Sequence, residues 1–391
     1  MPLGRKIRYG MVGGGPGAFI GAVHRKAAAL DGEIELVAGA FSSDPEKSKQ
    51  QGAELLLDPN RVYGSYQEMA EKEAALPEGE RIDFVSIVTP NHVHFPVAKT
   101  FIEAGFHVVC DKPMTTTLED AEELCRLVKE HDVVFALTHN YTGYPMVKEA
   151  RELVRQGELG EIRKIVVEYP QGWLATLIEA EGAKQAVWRT DPSQAGVSSC
   201  IGDIGSHAEN LAHYITGLEM TELCADLTTF VEGRQLEDDG NLLVHYDNGA
   251  RGILYASQIS VGEENNLRIR IYGTKASLEW HQEEPNYLSV RYPDGPEKVY
   301  KRGNEYLSEI AQHNSRLPFG HPEAFIEAFA NIYVNAARTM AAKIAGEEPG
   351  EFDTDFPTVQ DGARGVHFIH KAVESGQSNQ KWVDARYSPP E

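Results

Sequence analysis

Over the first 140 residues, apolar and polar positions follow two alternating patterns. Short apolar runs predict strands buried on both faces; they lie at Ile7–Val12, Ile34–Phe41, Phe84–Val88, His107–Cys110 and Val133–Leu137. Stretches with helical spacing separate them, at Ala22–Leu30, Ser65–Ala75, Phe95–Ala104 and Leu118–Glu130. This repetition of strand and helix predicts a parallel sheet covered by helices.

The pattern changes near Asn140–Pro145, where we expect a domain boundary. Residues 222–303 are predicted to form mostly antiparallel strands. Asp247-Asn248-Gly249 gives a strong hairpin signal there, because both turn residues must accept a positive φ. The other predicted elements are a helix at Tyr144–Gln156, a strand at Ile162–Tyr169, and closing helices at about Pro322–Ala345 and Val359–Ser375.

The chain of 391 residues carries a formal net charge of −22. A nucleic-acid binder needs a basic face that replaces the counterions of phosphates, so no nucleic acid is expected as a partner. The four cysteines form no CxxC pair, which is typical of a reducing compartment. No signal stretch is visible, and no apolar run reaches the roughly 18 residues that span a membrane. We therefore expect a cytoplasmic protein without a membrane partner.

A glycine-rich turn follows the first predicted strand, where Gly13-Gly14-Gly15-Pro16-Gly17-Ala18 leads into a helix. Such a turn lets the backbone approach a pyrophosphate, and the helix N-terminus supplies N–H groups and a partial positive charge. A tight turn without a ligand is the alternative. The place of this turn, after a strand and before a helix, is the context that a dinucleotide site requires, so it favours that reading.

The residues after the second strand bear on which dinucleotide binds. An acid at that strand tip would bind the ribose 2′-hydroxyl of NAD and repel a 2′-phosphate. Here Ser42 and Ser43 occupy the tip, and Lys47 follows one turn later. Two hydroxyls and an ammonium group suit a phosphate, so this segment favours NADP over NAD. In the alternative, Asp44 takes the role of the acid and the cofactor is NAD.

Two further strand ends carry polar residues at the carboxyl edge of the sheet, where ligands of open α/β sheets bind. One reads Thr89-Pro90-Asn91-His92-Val93-His94 and the other Cys110-Asp111-Lys112-Pro113. His92 and His94 have the spacing of metal ligands, but no third ligand is evident in the sequence, so no metal is predicted. Lys112 is either a functional lysine at this edge or a surface lysine in a turn.

With these motifs the chain resembles the Gfo/Idh/MocA family, that of glucose–fructose oxidoreductase and inositol dehydrogenase. The resemblance covers nearly the whole chain. It rests on GGGPGAFIGAVHR, TPNHVH, CDKP, Trp188-Arg189 and GDIGSH at 202–207, in the order and spacing of the family. The family usually has glutamate where this chain has Asp111, which keeps the charge but shortens the side chain.

The resemblance implies an α/β protein of two domains. An N-terminal Rossmann domain, residues 1–143, would bind NAD or NADP. A C-terminal α/β domain, residues 144–391, would bind the substrate and carry a large, mostly antiparallel open sheet. In the family this sheet often forms the oligomer interface, so a homodimer or homotetramer is expected.

The family assigns catalysis to a lysine, an aspartate and a histidine, which fall here on Lys112, Asp203 and His207. Asp203 and His207 are four residues apart and would share one helix face; a purely structural His–Asp hydrogen bond is the alternative. Oxidising a secondary alcohol sends a hydride to the nicotinamide and a proton to a base. Histidine titrates near neutrality and suits that step. Asp203 would orient the ring, and Lys112 would stabilise the alkoxide or accept the proton itself.

Further residues complete the predicted site. His321 precedes the proline of a predicted helix start, and a plain helix-start role is its alternative. The predicted cofactor contacts are Gly13, Gly15, Pro16, Phe19, Ile20, Ser42, Ser43, Lys47, Thr89, Asn91, His94, Asp111, Lys112, Trp188 and Arg189. The predicted substrate contacts are Lys112, Tyr141, Arg189, Asp203, His207 and His321.

The predicted activity is the reversible oxidation of a secondary hydroxyl of a cyclic polyol or sugar, an inositol, a pyranose or a glycoside, to a ketone. One alternative is an NAD-dependent glycoside hydrolase, which oxidises the sugar transiently, eliminates the aglycone and reduces the sugar again. A second is a non-catalytic redox sensor. The presence of all three of Lys112, Asp203 and His207 argues against the sensor.

Overall fold

The computed structural model describes residues 2–390. The chain divides into two compact units. The first contains the chain up to Asn140, Phe325–Ala363 and the residues from Pro389; the second contains Tyr141–Ala324 and Arg364–Ser388. The chain first leaves the first unit after Asn140, near the expected boundary. The division of roles between residues 1–143 and 144–391 stays a prediction.

A parallel sheet forms the centre of the first unit. Its strands are β1 (Ile7–Gly13), β2 (Ile34–Ala40), β3 (Phe84–Val88), β4 (His107–Cys110) and β5 (Phe135–Leu137). Their order across the sheet is β2-β1-β3-β4-β5. The direction of strand addition therefore reverses between β1 and β3, and such a switch point is where open α/β sheets bind ligands.

The helices that follow these strands are α1 (Phe19–Ala29), α2 (Pro45–Glu54), α3 (Tyr66–Ala74), α4 (His94–Glu103) and α5 (Leu118–Glu130). Helix α2 was not predicted, because its residues are almost all polar and show no apolar stripe. Asp44 begins this helix by accepting hydrogen bonds from the N–H groups of Glu46 and Lys47. The Rossmann-type parallel sheet expected from the sequence is confirmed.

A second sheet, with nine strands, forms the centre of the second unit. Its strands are β6 (Ile162–Pro170), β7 (Met220–Thr228), β8 (Asp239–Tyr246), β9 (Arg251–Ser257), β10 (Arg268–Gly273), β11 (Ser277–His281), β12 (Tyr287–Arg291), β13 (Lys298–Lys301) and β14 (Trp382–Asp384). The order is β13-β12-β11-β10-β6-β9-β8-β7-β14. Neighbouring strands are antiparallel except β6 and β9, which run parallel. The mostly antiparallel sheet is thus confirmed.

Alternate residues of this sheet face opposite sides. On β8, Leu242 and Val244 are buried, whereas Leu243 between them is 49% exposed. The predicted hairpin joins β8 to β9, and Gly249 adopts a φ of 88° there. The sheet therefore packs one face on helices and leaves the other face partly open within this unit.

The remaining helices are α6 (Pro145–Arg155), α7 (Lys184–Arg189), α8 (Pro192–Ala195), α9 (Ser206–Thr216), α10 (Glu309–His313), α11 (Phe325–Ala345) and α12 (Val359–Gln377). In the second unit α9 packs on β6 and β9, and α6 packs on β11 and β12. In the first unit α11 packs on α1, with Phe329 and Tyr333 in a common core. No helix within residues 2–390 is long and apolar enough to cross a bilayer.

Candidate active site

The glycine turn after β1 is shaped by contacts that leave little room for side chains. Gly13 and Gly14 have positive φ angles, 86° and 69°. A Cβ on Gly13 would lie 2.7 Å from the carbonyl oxygen of Val88 on β3, and one on Gly15 would lie 2.6 Å from that of Phe41 after β2. The turn therefore runs at the switch point with its backbone close against two neighbouring strand ends.

Close packing between this turn and α1 comes from Gly21. A Cβ on Gly21 would lie 2.4 Å from Gly14 Cα. Ala18 is the N-cap of α1 and makes no side-chain cap hydrogen bond. The first-turn N–H groups of such a helix can bind an anion. Phe19 at the helix start is 66% exposed.

The segment after β2 lies beside the glycine turn, since Ser42 Cβ is 3.7 Å from the position of a Cβ on Gly15. Ser42 Oγ accepts a hydrogen bond from the Asp44 N–H at 3.1 Å. Asp44 caps α2, and its carboxylate lies 3.9 Å from the exposed Nζ of Lys47. Ser42 is therefore the polar side chain nearest to the turn in this segment, and the choice between NAD and NADP stays a prediction.

At the carboxyl edge of β3, the side chains of Thr89 and His94 differ in their hydrogen bonding. Thr89 Oγ1 is buried and has no hydrogen-bond partner within residues 2–390. His94 is buried, and its ring nitrogens each lie 2.9 Å from a backbone carbonyl oxygen, Nδ1 from that of Pro113 and Nε2 from that of Thr89. Burial lowers the pKa of His94. The ring thus links the loops after β3 and β4, and its contact with a cofactor stays a prediction.

Lys112 lies two residues after the end of β4 and is half-buried, in a turn braced by Asp111. Asp111 Oδ1 accepts hydrogen bonds from the backbone N–H of Lys112 at 2.9 Å and from Thr138 Oγ1 at 3.0 Å. Burial raises the pKa of the Asp111 carboxyl, but the facing His24 and Lys112 outweigh it and the net pKa is lowered. Asp111 is therefore an ionised brace, which the shorter side chain can provide at this position.

These features of the first unit fit a dinucleotide. The glycine turn is a cradle that a Cβ would fill, and Thr89 Oγ1 is a buried polar atom without a protein partner in the described part. Among residues 2–390, no three His, Cys, Asp or Glu side chains are grouped so that they could hold a metal ion. That the protein uses no metal stays a prediction.

Asp203 and His207 lie in the second unit on consecutive helical turns. Ile201–Gly205 is a π-helical turn, and α9 begins at Ser206. One continuous helical segment therefore carries both residues, Asp203 in its π-helical turn and His207 in its α-helical part. That their side chains share one face stays a prediction. π-Helical turns are rare in proteins, and those that occur are often found at functional sites. His207 is buried near the start of α9.

The carboxylate of Asp203 is held by two donors on the same oxygen. Arg189 Nε donates to Oδ2 at 3.2 Å, and Gln258 Nε2 donates to it at 2.8 Å. The Arg189 guanidinium lies 4.2 Å from the ring centroid of Trp188 and 5.9 Å from that of Trp173. Stacking on indole fixes a guanidinium without neutralising it, so a cation with a fixed position faces Asp203.

Two tyrosines pack against His207. Ring centroids of Tyr141 and His207 are 4.7 Å apart at an angle of 73°, and Tyr169 lies 6.3 Å from His207. Tyr169 Oη donates to Asn265 Oδ1 at 2.7 Å, and Asn265 Nδ2 donates to Tyr141 Oη at 3.2 Å. Tyr141 therefore donates to Tyr169, with which it is in hydrogen-bond contact. Burial raises the pKa of Tyr141, so this ring of hydrogen bonds keeps its protons.

His321 lies in a loop, and the prediction of a helix start at Pro322 is wrong. Helix α11 begins at Phe325, because Glu323 turns inward and accepts a hydrogen bond from the buried guanidinium of Arg302 at 2.7 Å. The His321 side chain is exposed, and Nδ1 lies 3.3 Å from the Phe319 carbonyl oxygen. Its contact with a substrate stays a prediction.

The chain matches two family models in succession. Residues 7–158 match an oxidoreductase family with an NAD-binding Rossmann fold, and residues 147–279 match the GFO/IDH/MocA C-terminal domain. The uncharacterized oxidoreductase YfiI of Bacillus subtilis is 35% identical over 388 residues, 98% of each chain. The chain belongs to the Gfo/Idh/MocA family.

Other similar proteins carry more specific names. The inositol dehydrogenase homolog of Azotobacter vinelandii, solved with NADH and myo-inositol, is 36% identical, with 97% of this chain and 98% of that chain covered and a TM-score of 0.90. The levoglucosan dehydrogenase of Pseudarthrobacter phenanthrenivorans is 25% identical, covering 97% and 98% of the two chains. This Gfo/Idh/MocA protein is thus an oxidoreductase with an NAD-binding Rossmann fold, and the predicted family and fold class are confirmed.

The predicted site residues of this Gfo/Idh/MocA oxidoreductase fall in both units. Lys112 and the glycine turn belong to the first unit, and Trp188, Arg189, Asp203 and His207 belong to the second. The second unit brings Arg189 to Asp203 and Tyr141 to His207. The joint action of Lys112 with Asp203 and His207 stays a prediction. The sequence motifs gave no indication of Gln258, Tyr169 and Asn265, which are distant along the chain from the residues they contact. The same holds for Glu237, whose Oε1 accepts the N–H of Ile201 at the start of the π-helical turn.

Proposed function

We propose that this oxidoreductase oxidises a secondary hydroxyl of a cyclic polyol or sugar to a ketone, with NAD or NADP as hydride acceptor. The observation that carries the proposal is the Asp203 carboxylate, held by Arg189 and Gln258 one helical turn before His207, in a chain with an NAD-binding Rossmann fold. The myo-inositol bound to the A. vinelandii homolog and the name of the levoglucosan dehydrogenase support the substrate class.

In the proposed reaction, a bound nicotinamide supplies the hydride acceptor. His207 takes the proton of the reacting hydroxyl as the hydride leaves its carbon, because an imidazole can accept a proton near neutral pH. Asp203 orients the ring of His207 and stabilises the imidazolium. Lys112 donates a hydrogen bond to the same substrate oxygen and stabilises its developing negative charge. Two electrons leave the carbon with the hydride, and the C–O bond becomes a carbonyl.

The remaining side chains act around this centre. We propose that Tyr141 closes one side of His207 and that His321 contacts a substrate hydroxyl. Arg189 acts through Asp203, since its Nε is bound to that carboxylate. Ser42, Ser43 and Lys47 face the ribose of the cofactor, and Thr89 Oγ1 offers it a polar contact.

The open face of the nine-stranded sheet supports a homodimer or homotetramer. Leu243 is 49%, Ile253 38% and Tyr272 40% exposed on neighbouring parts of that sheet. Apolar side chains grouped on an exposed face are typical of a protein–protein interface. A mass twice or four times that of the chain in light scattering would support this arrangement.

A substrate panel tests the proposed function. The purified protein is given inositols, aldoses and glycosides with NAD or with NADP, and absorbance at 340 nm is followed in the presence of a chelator. We expect reduced cofactor to accumulate with an inositol or a pyranose. Cleavage of a glycoside without net cofactor reduction would show the hydrolase instead. Binding of cofactor without turnover of any substrate would contradict the proposal.

A further inference from the structure

Gln258 is a buried residue for which the sequence motifs give no role. It follows β9 and is fully buried. Its backbone is fixed on both sides, because its N–H donates to the Asp238 carbonyl at 2.9 Å and its carbonyl accepts from the Leu174 N–H at 3.0 Å. The side chain therefore starts from a rigid point, 55 residues along the chain from Asp203.

The side-chain amide of Gln258 is used on one side only. Its Nε2 donates to Asp203 Oδ2 at 2.8 Å. Its Oε1 is buried and has no hydrogen-bond partner within residues 2–390. The opposite amide orientation would set a carbonyl oxygen against a carboxylate oxygen, so the contact with Asp203 fixes the assignment of the amide.

An unpaired buried acceptor costs stability. If Gln258 served only to fill space, an apolar side chain of similar size would avoid that cost. Two donors, the charged Arg189 and the neutral Gln258, instead converge on one oxygen of Asp203. Two donors from different elements fix the direction of a carboxylate more firmly than one, and both favour its charged form.

We propose that Gln258 is a positioning residue, which together with Arg189 holds the Asp203 carboxylate ionised and in one orientation toward His207. This inference rests on the proposed function, because the orientation matters only if Asp203 serves the reaction. Gln258 itself touches neither the substrate nor the cofactor in this proposal.

Two substitutions distinguish whether Gln258 serves as a hydrogen-bond donor or only fills space. Gln258→Met keeps the length and removes the donor. Gln258→Glu keeps the shape but sets a second carboxyl group against Asp203, and two carboxylates that share a site retain one proton more readily. That proton can act as the missing donor at low pH. Besides His207, toward which the proposal orients Asp203, the titratable groups that interact with Asp203 include Arg189, Tyr141, Tyr169 and Cys200.

Gln282 provides a matched control. It is also a buried glutamine, 9% exposed, and its Oε1 likewise has no hydrogen-bond partner within the described residues. Its Nε2, however, donates to Tyr144 Oη at 3.3 Å and not to a carboxylate. Gln282→Met and Gln282→Glu therefore repeat the same changes of side chain away from Asp203.

The experiment measures kcat and KM of the wild type and the four variants between about pH 6 and 9, with thermal unfolding as a check of the fold. We expect Gln258→Met to lower kcat by roughly 10- to 100-fold, as for the loss of a hydrogen bond to a charged group, with little change in KM. At high pH, Gln258→Glu should show a larger loss of kcat than Gln258→Met, and it should recover part of its kcat toward pH 6. Gln282 variants should keep the wild-type kcat.

Wild-type kcat and pH profile in both Gln258 variants would overturn the proposal, and so would equal losses in the Gln282 variants. A double-mutant cycle of Gln258→Met with Asp203→Asn, followed by urea unfolding, gives a readout without activity. In that cycle we expect the two substitutions to have non-additive effects on the free energy of unfolding. When Gln282→Met replaces Gln258→Met, we expect the effects to be additive. If the wild type oxidises no polyol or sugar, the proposed function fails. The double-mutant cycle then still decides whether Gln258 holds Asp203, and additive effects in it would overturn the proposed role of Gln258.

Discussion

Glu237 and Ile201, 36 residues apart, meet where Glu237 Oε1 accepts the Ile201 N–H at 3.0 Å. The same oxygen accepts the Ser199 N–H at 3.1 Å and contacts Ser198 Oγ, which in turn accepts the Gly202 N–H at 2.8 Å. Burial raises the pKa of Glu237. One buried carboxyl group thus closes the π-helical turn that carries Asp203.

Glu237→Ala should therefore damage both the fold and the site. It leaves two N–H groups and a hydroxyl without their acceptor, so we expect the free energy of unfolding to fall by about 2–4 kcal/mol. We also expect kcat to fall at least about 10-fold, since Asp203 loses its supporting turn. Glu237→Gln keeps an acceptor oxygen and should lose less. Urea unfolding and steady-state kinetics measure the two effects.

Glu149→Ala is the control for that substitution. Glu149 is a buried carboxylate that accepts hydrogen bonds from the Ser308 N–H at 2.8 Å and from Ser308 Oγ at 2.6 Å, so its loss should lower stability comparably. Its kcat, measured well below the unfolding transition, should stay near the wild-type value. Equal kcat losses in both variants would show that Glu237 has no particular link to Asp203.

Gly15→Ala should weaken cofactor binding. The added Cβ would lie 2.6 Å from the Phe41 carbonyl oxygen, so the turn must move away from β2. We expect the Kd for NAD or NADP in fluorescence titration to rise more than about 10-fold, because the backbone can no longer approach a pyrophosphate. Gly32→Ala, at a φ of 71° with open space around the Cβ, should strain a turn without changing this Kd. A wild-type Kd in Gly15→Ala would mean that the pyrophosphate binds elsewhere.

Ser42→Asp should shift cofactor preference toward NAD. Ser42 is next to the glycine turn, and a carboxylate at this place would repel a 2′-phosphate while it could bind a 2′-hydroxyl. The measured quantity is the NADP/NAD ratio of kcat/KM, which we expect to fall at least about 10-fold. The same change at Ser43 serves as a comparison one residue further on. An unchanged ratio in Ser42→Asp would place the ribose away from this segment.

Buried histidines should make the protein sensitive to mild acid. Burial lowers the pKa of His24 to about 4, of His107 to about 4 and of His139 to about 3. The unfolded chain binds their protons near pH 6.5, so it binds more protons than the folded chain between there and pH 4. Stability is therefore fully present above about pH 6.5 and falls below it.

His107→Gln tests this slope. Each such histidine contributes about 1.4 kcal/mol per pH unit between the two pKa values. Removal of one should make the free energy of unfolding fall less steeply between about pH 6 and 4.5 by that amount, as urea titrations at several pH values can show. An identical slope in the variant would mean that His107 is protonated in the folded protein.

The sequence predicted those features that depend on local spacing. The hairpin at Asp247–Gly249 and the glycine turn could be found because their residue types are required within a few positions. Helix α2 could not, since its apolar stripe is absent and only its start, Asp44 followed by Pro45, carries a helix signal. The start of α11 was misplaced because the partner of Glu323 is Arg302, which lies in another segment.

The support of the candidate site was beyond sequence reasoning for the same reason. Gln258 is 55 residues along the chain from Asp203, and Glu237 is 36 residues from Ile201 in the same turn. The residue pattern of a strand end does not predict contacts of this kind. The first N–H of the π-helical turn, that of Ile201, likewise has its acceptor in Glu237, far along the chain. The residue types of GDIGSH placed Asp203 and His207 near each other, but not the geometry between them.

The proposed reaction is tested most directly by kcat of Lys112→Ala on the polyol or sugar that the wild type oxidises, with cofactor Kd measured alongside. Lys112 is expected to act in the transition state, so kcat should fall by about 10²- to 10⁴-fold while the Kd changes little. Lys112→Arg should not restore it, because the wider, planar guanidinium cannot take the place of a compact ammonium group that donates to one oxygen. A near-normal kcat in Lys112→Ala would contradict the proposed mechanism and leave Lys112 as a structural turn residue.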